Sequence, residues 1–403
     1  MPNTYPAEPH PHALQRKYFC VVTDTYPPEV NGVALTLARL VEGLKMLGHT
    51  VSVVRPRQWT GDRPACKRDP DITLMRGVPL LWYKGLHVGL PASGLLHNRW
   101  RQHRPDVVYV ATEGLLGWSA VRTAQRLGIP VLSGFHTNFH SYSKHYGLGW
   151  LQHLVALYLC WFHNRTAGTL VPSLDLRDRL HASGFKNISI LGRGVDSELF
   201  TPARRCQALR QSWGVGEHDL VVLYVGRVAP EKNIGLAIAA YRAMQRFDNA
   251  MKFVIVGDGP QRATLQKGHP DLLFCGAHRA ESLAKHYASA DIFLFPSDTE
   301  TFGNVTIEAM ASGLAVIAYD YAAARMHITH GKTGILVPYG EPHTFVAAAI
   351  ELAQAPQSLP KMRRQARDYV AALGWQRVVR QFETLLTAAL VHPRPAYGDH
   401  ARL

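Results

Sequence analysis

Two glutamates, Glu300 and Glu308, stand eight positions apart in SDTETFGNVTIEAMASGLAVIA (Ser297 to Ala318), and two cations, Arg227 and Lys232, stand close together in VGRVAPEKN (Val225 to Asn233). The first stretch follows a strand, passes a glycine and enters a helix, so Glu300 falls in the loop and Glu308 about one turn into the helix. Both carboxylates can then face one ligand lying over the helix entrance, where unpaired amides also suit a phosphate. Arg227 and Lys232, flanking a tight turn at the end of another strand, offer a planar fork and a point charge to a diphosphate. Each piece also has a plain structural use: Glu300 as a helix cap, Glu308 in a surface ion pair, Arg227 and Lys232 as solvated loop charge. VGDGP (Val256 to Pro260) ends a further strand with two glycines that permit close backbone approach, a pattern that on its own usually marks a turn. One DxD, Asp69-Pro70-Asp71, lies in a polar loop before a strand and reads as turn chemistry. Two carboxylates are fewer oxygen ligands than a hard divalent ion takes, so no metal is expected.

Positioning such residues requires alternating strands and helices. YFCVVTD (Tyr18 to Asp24) reads as a strand, TYPPEVNG as a turn, VALTLARLVEGLKMLGH as a helix and TVSVVRP as the next strand, a βαβ unit with a glycine at the helix entrance. DVVYVAT (Asp106 to Thr112), PVLSGFH (Pro130 to His136) and GTLVPS (Gly168 to Ser173) continue the pattern. It restarts with DLVVLYVGRV (Asp219 to Val228), MKFVIVGDG (Met251 to Gly259), LLFCGA (Leu272 to Ala277), DIFLFPS (Asp291 to Ser297) and LAVIAYD (Leu314 to Asp320). Short buried strands between helices predict an α/β protein with two Rossmann-like, doubly wound domains facing a central cleft. The expected organisation is a disordered end over 1–17, an N-terminal acceptor-binding domain over 18–195 and a linker over 196–216. A nucleotide-sugar-binding domain over 217–375, a helix over 376–391 crossing back to the first domain, and a tail over 392–403 complete it.

Taken in order, GRVAPEKN, VGDGP and ETFGNVTIE followed by AMASGLAVIA resemble the C-terminal domain of retaining glycosyltransferases of the GT-B architecture, in the family of bacterial mannosyl and glucosyl transferases, the group 1 glycosyltransferases. DTYPPEVNGVALTLARLVEGLKMLGHTVSVVRP is similar to the family's opening glycine loop, and GFHTNFHSYSKHYGLGW to a subgroup acting on glycolipids and including GDP-mannose-dependent alpha-mannosyl transferases. The loop LWYKGLHVGLP (Leu81 to Pro91) departs from the form expected in close mannosyltransferase relatives. The resemblance spans roughly residues 18 to 390. It implies that Arg227 and Lys232 hold the donor diphosphate and that Glu308 accepts from the ribose hydroxyls. It further implies that Glu300 contacts the transferred sugar beside the amides of Phe302, Gly303 and Asn304. Gly32 would bring its amide to the phosphates, and His136, at a strand end, would touch the sugar or the leaving group; a buried histidine bonded to backbone is the alternative use.

The implied chemistry is departure of a nucleoside diphosphate from the anomeric carbon, its growing charge met by fixed cations and amides. The acceptor hydroxyl arrives on the face that the phosphate leaves, so no protein nucleophile is required and Glu300 is not half of a glycosidase pair. The UDP- or GDP-sugar is a substrate and no cofactor is expected. The acceptor reading is a membrane lipid, a glycerolipid such as diacylglycerol; the alternative is a GDP-mannose-dependent alpha-mannosyltransferase acting on a glycan or another lipid.

Bulk properties agree with an enzyme of two cores. The chain has 403 residues, 47% of them hydrophobic, and no apolar run long enough to span a bilayer. The N-terminus lacks the apolar middle of a secretory signal, and the five cysteines form no CxxC pair, which together predict a cytoplasmic protein with reduced thiols. Residues 1–200 hold 22 Lys and Arg against 13 Asp and Glu, an excess that suits an anionic membrane surface as well as simple solubility. LGWLQHLVALYLCWFHN (Leu148 to Asn164), with Trp150, Trp161 and nearby Lys144, His145, Arg122 and Arg126, is either a core helix or a peripheral anchor on the inner face of the cell membrane. A net charge of +14 also raises a nucleic-acid-binding protein as a remote alternative, but the charge is not concentrated in one tract and no recognition motif accompanies it, so no nucleic acid is expected. A dinucleotide-dependent oxidoreductase would need a full GxGxxG after a first strand, which neither half has.

Overall fold

The structure, a computed structural model, describes residues 16–29, 31–59, 61–62, 71–79, 87–136 and 149–391, with the side chains of 149–152 excepted. Asp69 and Pro70, the loop from Leu81 to 86, Lys144, His145, the Trp150 side chain and the tail 392–403 lie outside the described residues. Contacts gather the chain into two compact units, one from residues 1–133 and 383–403, the other from 134–382.

In the first unit, β1 (Tyr18–Val22), β2 (Thr50–Pro56), β3 (Ile72–Met75), β6 (Val107–Val110) and β7 (Val131–Gly134) form a parallel sheet ordered β3-β2-β1-β6-β7, and β4 (Gly77–Pro79) pairs antiparallel with β5 (His87–Gly89). β6 is buried along its whole length, the signature of a sheet covered on both faces. The helix Gly32–Met46 begins where Asn31 Oδ1 accepts from the Ala34 amide at 2.8 Å, and it buries Leu37, Leu40, Val41 and Leu44 on one face.

The second unit holds the parallel pair β8 (Gly168–Val171) and β9 (Ile188–Ile190), which the sequence groups with the first half. Its main sheet has six parallel strands: β10 (Val221–Val225), β11 (Lys252–Val256), β12 (Leu273–Gly276), β13 (Ile292–Phe295), β14 (Ala315–Tyr319) and β15 (Ile335–Val337). They are ordered β12-β11-β10-β13-β14-β15, so the order reverses between β10 and β13, the place where open α/β sheets bind ligands. β10, β13 and β14 are buried throughout and carry one continuous core with the helices Ile234–Gln245 and Asn304–Ala311.

The stretch 196–216, expected as a linker, is ordered. It contains a helix, Gln207–Ser212, whose Arg210 is fully buried, 3.3 Å from Asp291 Oδ2 and donating to the Ser289, Gly216 and Asp219 carbonyls. The last helix, Trp375–Val391, passes from the second unit into the first at Glu383, whose Oε1 lies 2.8 Å from Nε2 of buried His49.

Candidate functional site

The loops that follow β10 and β13 bring Arg227, Lys232 and Glu300 to the switch point. The Arg227 loop is fixed by a backbone seam: Gly226 donates to the Val256 carbonyl at 3.0 Å, and Val228 to the Asp258 carbonyl at 2.9 Å. The two glycines of VGDGP make that seam possible. A Cβ on Gly257 would sit 1.8 Å from the Gly226 oxygen, and one on Gly259 2.3 Å from the Val228 oxygen. A single 3-10 turn, Pro230–Lys232, closes on Asn233 in the left-handed region at φ 52 and turns Lys232 back toward the loop after β13.

Lys232 Nζ lies 2.5 Å from Glu300 Oε1 and donates to the Thr299 carbonyl at 2.9 Å, while Ser297 Oγ donates to the same glutamate oxygen at 2.9 Å. Both members of the ion pair are mostly buried. Arg227 stays 61% exposed, its Nη1 only 3.4 Å from Glu231 Oε1, so its guanidinium is available to a ligand.

The loop from Asp298 to Gly303 has an uneven polarity. Its six carbonyls in turn accept from the Tyr339 hydroxyl (2.7 Å), Lys232 Nζ, the Tyr321 hydroxyl (2.8 Å), Ser173 Oγ (3.5 Å), the Ala323 amide (2.8 Å) and the Thr306 amide (3.1 Å). Among the described residues, none of the amides of Phe302, Gly303 and Asn304 donates to a protein acceptor. Gly303 takes φ 92 as the residue before the helix Asn304–Ala311, a conformation that favours glycine. Free amides in a row at the start of a helix form a concavity for an anion.

Glu308, in that helix, is partly buried, and its Oε2 accepts from the hydroxyl of fully buried Tyr287 at 3.0 Å. Burial pushes its carboxyl up to about 7, against which the Tyr287 bond pulls down. The hydroxyl of Tyr224 donates to the Arg227 carbonyl at 3.2 Å and tightens the same corner from below.

His136 lies in the same unit, just beyond β7, with its Nδ1 3.3 Å from Nη2 of buried Arg193. Burial drives its imidazole well below the ordinary histidine range, with the Arg193 and His163 charges adding to the effect, so it is neutral at pH 7. No described contact joins it to Glu300 or Lys232. Gly32 opens the first helix of the other unit, and a Cβ there would meet nothing within 4 Å. Sequence reading singled out neither Arg193 nor the tyrosines 287, 321 and 339. A cation between two glycines, Gly192-Arg193-Gly194, was the one local signal available.

The helix Gly149–His163 has one buried and one outward side. Leu159 and Phe162 are buried, while Leu154, Leu157, Tyr158 and Trp161, at i, i+3, i+4 and i+7, form an outward stripe with exposures of 38% to 53%. The Arg165 guanidinium lies 4.0 Å from the Trp161 ring centroid. No described helix is long and apolar enough to cross a membrane.

Two family descriptions match the chain: "Glycosyl transferases group 1" over residues 219–355 and "Glycosyltransferase Family 4" over residues 30–199. A GDP-mannose-dependent alpha-mannosyltransferase of Mycobacterium tuberculosis is 34% identical over 335 residues, 80% of this chain and 84% of that one. An alpha-monoglucosyldiacylglycerol synthase of Streptococcus pneumoniae is 27% identical over 375 residues, covering 89% and 84%. Among solved structures, sucrose-phosphate synthase from Thermosynechococcus elongatus superposes with a TM-score of 0.73 at 19% identity, covering 93% of this chain and 100% of that chain.

Proposed function

The chain belongs to the group 1 glycosyltransferases and has the GT-B fold, and from that premise we propose that it moves a hexose from a UDP- or GDP-sugar to a membrane lipid acceptor with retention at the anomeric carbon. The observation that carries the donor part is the loop Asp298–Gly303, whose carbonyls are all taken, followed by the open amides of Phe302, Gly303 and Asn304 on the chain that also carries Glu300 and its partner Lys232. A diphosphate laid there meets the exposed Arg227 and N–H dipoles already oriented, and draws on Lys232 from its pair with Glu300. Glu308 takes the ribose hydroxyls and Glu300 the sugar, with neutral His136 donating to the sugar or leaving group. The departing phosphate oxygen takes the proton of the acceptor hydroxyl, and no metal or cofactor is part of the scheme.

The acceptor proposal is a glycerolipid such as diacylglycerol. It is supported by the outward apolar stripe of the helix Gly149–His163, its Arg165, and the diacylglycerol-glycosylating relatives. That stripe would lie on the inner face of the cell membrane, attracted by the chain's net charge of +14. A second reading, alpha-mannosyl transfer from GDP-mannose to a glycan or other lipid, is favoured by the higher identity to the mycobacterial enzyme. Purified protein incubated with UDP-glucose or GDP-mannose and with vesicles containing diacylglycerol tests both. Lipid-linked glucose supports the first and mannose from GDP-mannose the second, while no transfer with either donor counts against both. Activity that vanishes in EDTA would remove the metal-free scheme.

A further inference from the structure

We infer that Tyr321 and Tyr339 are positioning residues for the anion-holding loop, a conclusion that rests on the donor-site reading above. The Tyr339 hydroxyl holds the Asp298 carbonyl and the Tyr321 hydroxyl holds the Glu300 carbonyl. Each peptide unit is planar, so pinning a carbonyl on one side points the next residue's N–H to the opposite side. Tyr339 thereby orients the Thr299 amide and Tyr321 the Thr301 amide. The rings brace each other, with centroids 5.3 Å apart, and Tyr339 also rests on Tyr319 at 5.7 Å.

Tyr321 is itself held. Arg179 Nη2 donates to its hydroxyl at 3.1 Å, which leaves the tyrosine proton for the Glu300 carbonyl. The next residue, Ala322, sits at φ 51, a left-handed conformation that is costly for alanine. Asp175 Oδ2 accepts its amide at 2.8 Å, and Asp175 Oδ1 pairs with Arg325, which fixes the strained turn. That turn aims the Ala323 amide at the Phe302 carbonyl and so orients the Gly303 N–H. A segment of three residues, Tyr321 to Ala323, thus sets two of the loop's peptide planes, and no part of it needs to touch the ligand.

The test is Tyr321→Phe, Tyr339→Phe and the double variant, with dissociation constants for UDP and GDP measured by calorimetry alongside melting temperature and transfer kinetics. Each single change should weaken nucleoside-diphosphate binding and raise donor KM by about fivefold, the loss of one neutral hydrogen bond, and leave acceptor KM unchanged. Phenylalanine variants with wild-type affinity and donor KM overturn the inference, even if they melt earlier. Should they fail to fold, hydrogen exchange on the wild-type chain decides: protection of the Thr299 and Thr301 amides by UDP or GDP upholds it, and unchanged exchange overturns it. A wild-type chain that binds none of UDP, GDP and ADP overturns the donor reading instead.

Discussion

The Tyr287 hydroxyl donates to Glu308 Oε2 across 3.0 Å, and the pair is sunk deep enough that the carboxyl is pushed up to about 7 by burial. In the unfolded chain a glutamate ionises near pH 4.3 (about that value in model peptides). The contribution of this group to stability is therefore full in acid, below the unfolded value, and is lost as pH rises toward 7. Glu308→Gln removes the loss: relative to wild type, the variant should gain about 2 kcal/mol between pH 4 and pH 8 in urea unfolding. If the ionised carboxylate is what meets the ribose, nucleoside-diphosphate affinity falls more steeply below pH 7 in wild type than in Glu308→Gln, beyond the fall that protonation of the terminal phosphate, with a second pKa of about 6, causes in both. Titration calorimetry at pH 6 and pH 8 checks this.

Lys232→Ala removes the cation that holds both Glu300 and the Thr299 carbonyl. Donor binding or transfer should fall at least tenfold, roughly 1.4 kcal/mol or more, and Glu308→Ala should do the same. Near-normal steady-state rates in both purified variants would remove these residues from the site.

Asp291 meets three arginines, with Arg205, Arg210 and Arg363 lying 3.2, 3.3 and 2.8 Å away. Arg210 has no exposure, so Asp291→Ala strands a charge that water cannot reach. A loss of about 3 to 5 kcal/mol is expected, seen as an early melting transition. Retention of the wild-type melting temperature would show that carbonyls alone satisfy Arg210.

Gly257→Ala places a methyl group against the Gly226 carbonyl at a φ of 144. The Arg227 loop must move, so donor KM should rise at least tenfold with a stability loss of about 2 kcal/mol. Unaltered kinetics in the alanine variant would mean that the seam does not hold Arg227 in place.

Leu157 and Trp161 face outward, so Leu157→Ser with Trp161→Ser should leave the fold unchanged. Sedimentation with anionic vesicles should drop about tenfold, while binding to neutral vesicles stays low for both proteins. Equal sedimentation of variant and wild type would leave the stripe without a membrane role.

Much of the architecture was legible because parallel strands buried on both faces are short apolar runs: DIFLFPS and LAVIAYD contain β13 and β14. The weaker strands β3, β9 and β15 have only partly buried patterns, and their residues gave no comparable run. For the candidate site, the spacing of Glu300 and Glu308 pointed to one loop and one helix. Their partners were invisible, because Tyr287 and Tyr321 each lie 21 positions away and meet them only through the order of the strands. The left-handed Ala322 was hidden for a related reason, since an alanine carries no sign of the Asp175 carboxylate that holds it there.

The ion pair between Lys232 and Glu300 cancels two opposite charges next to each other in the candidate site. A bare phosphate that takes the lysine leaves behind a carboxylate with nothing to hold, and like charges then face each other. A donor carrying a hydroxylated sugar returns a partner to that carboxylate as it takes the cation. On the proposed reading the pair works as a sieve, rejecting the abundant small anions of the cell and admitting the sugar-bearing ones.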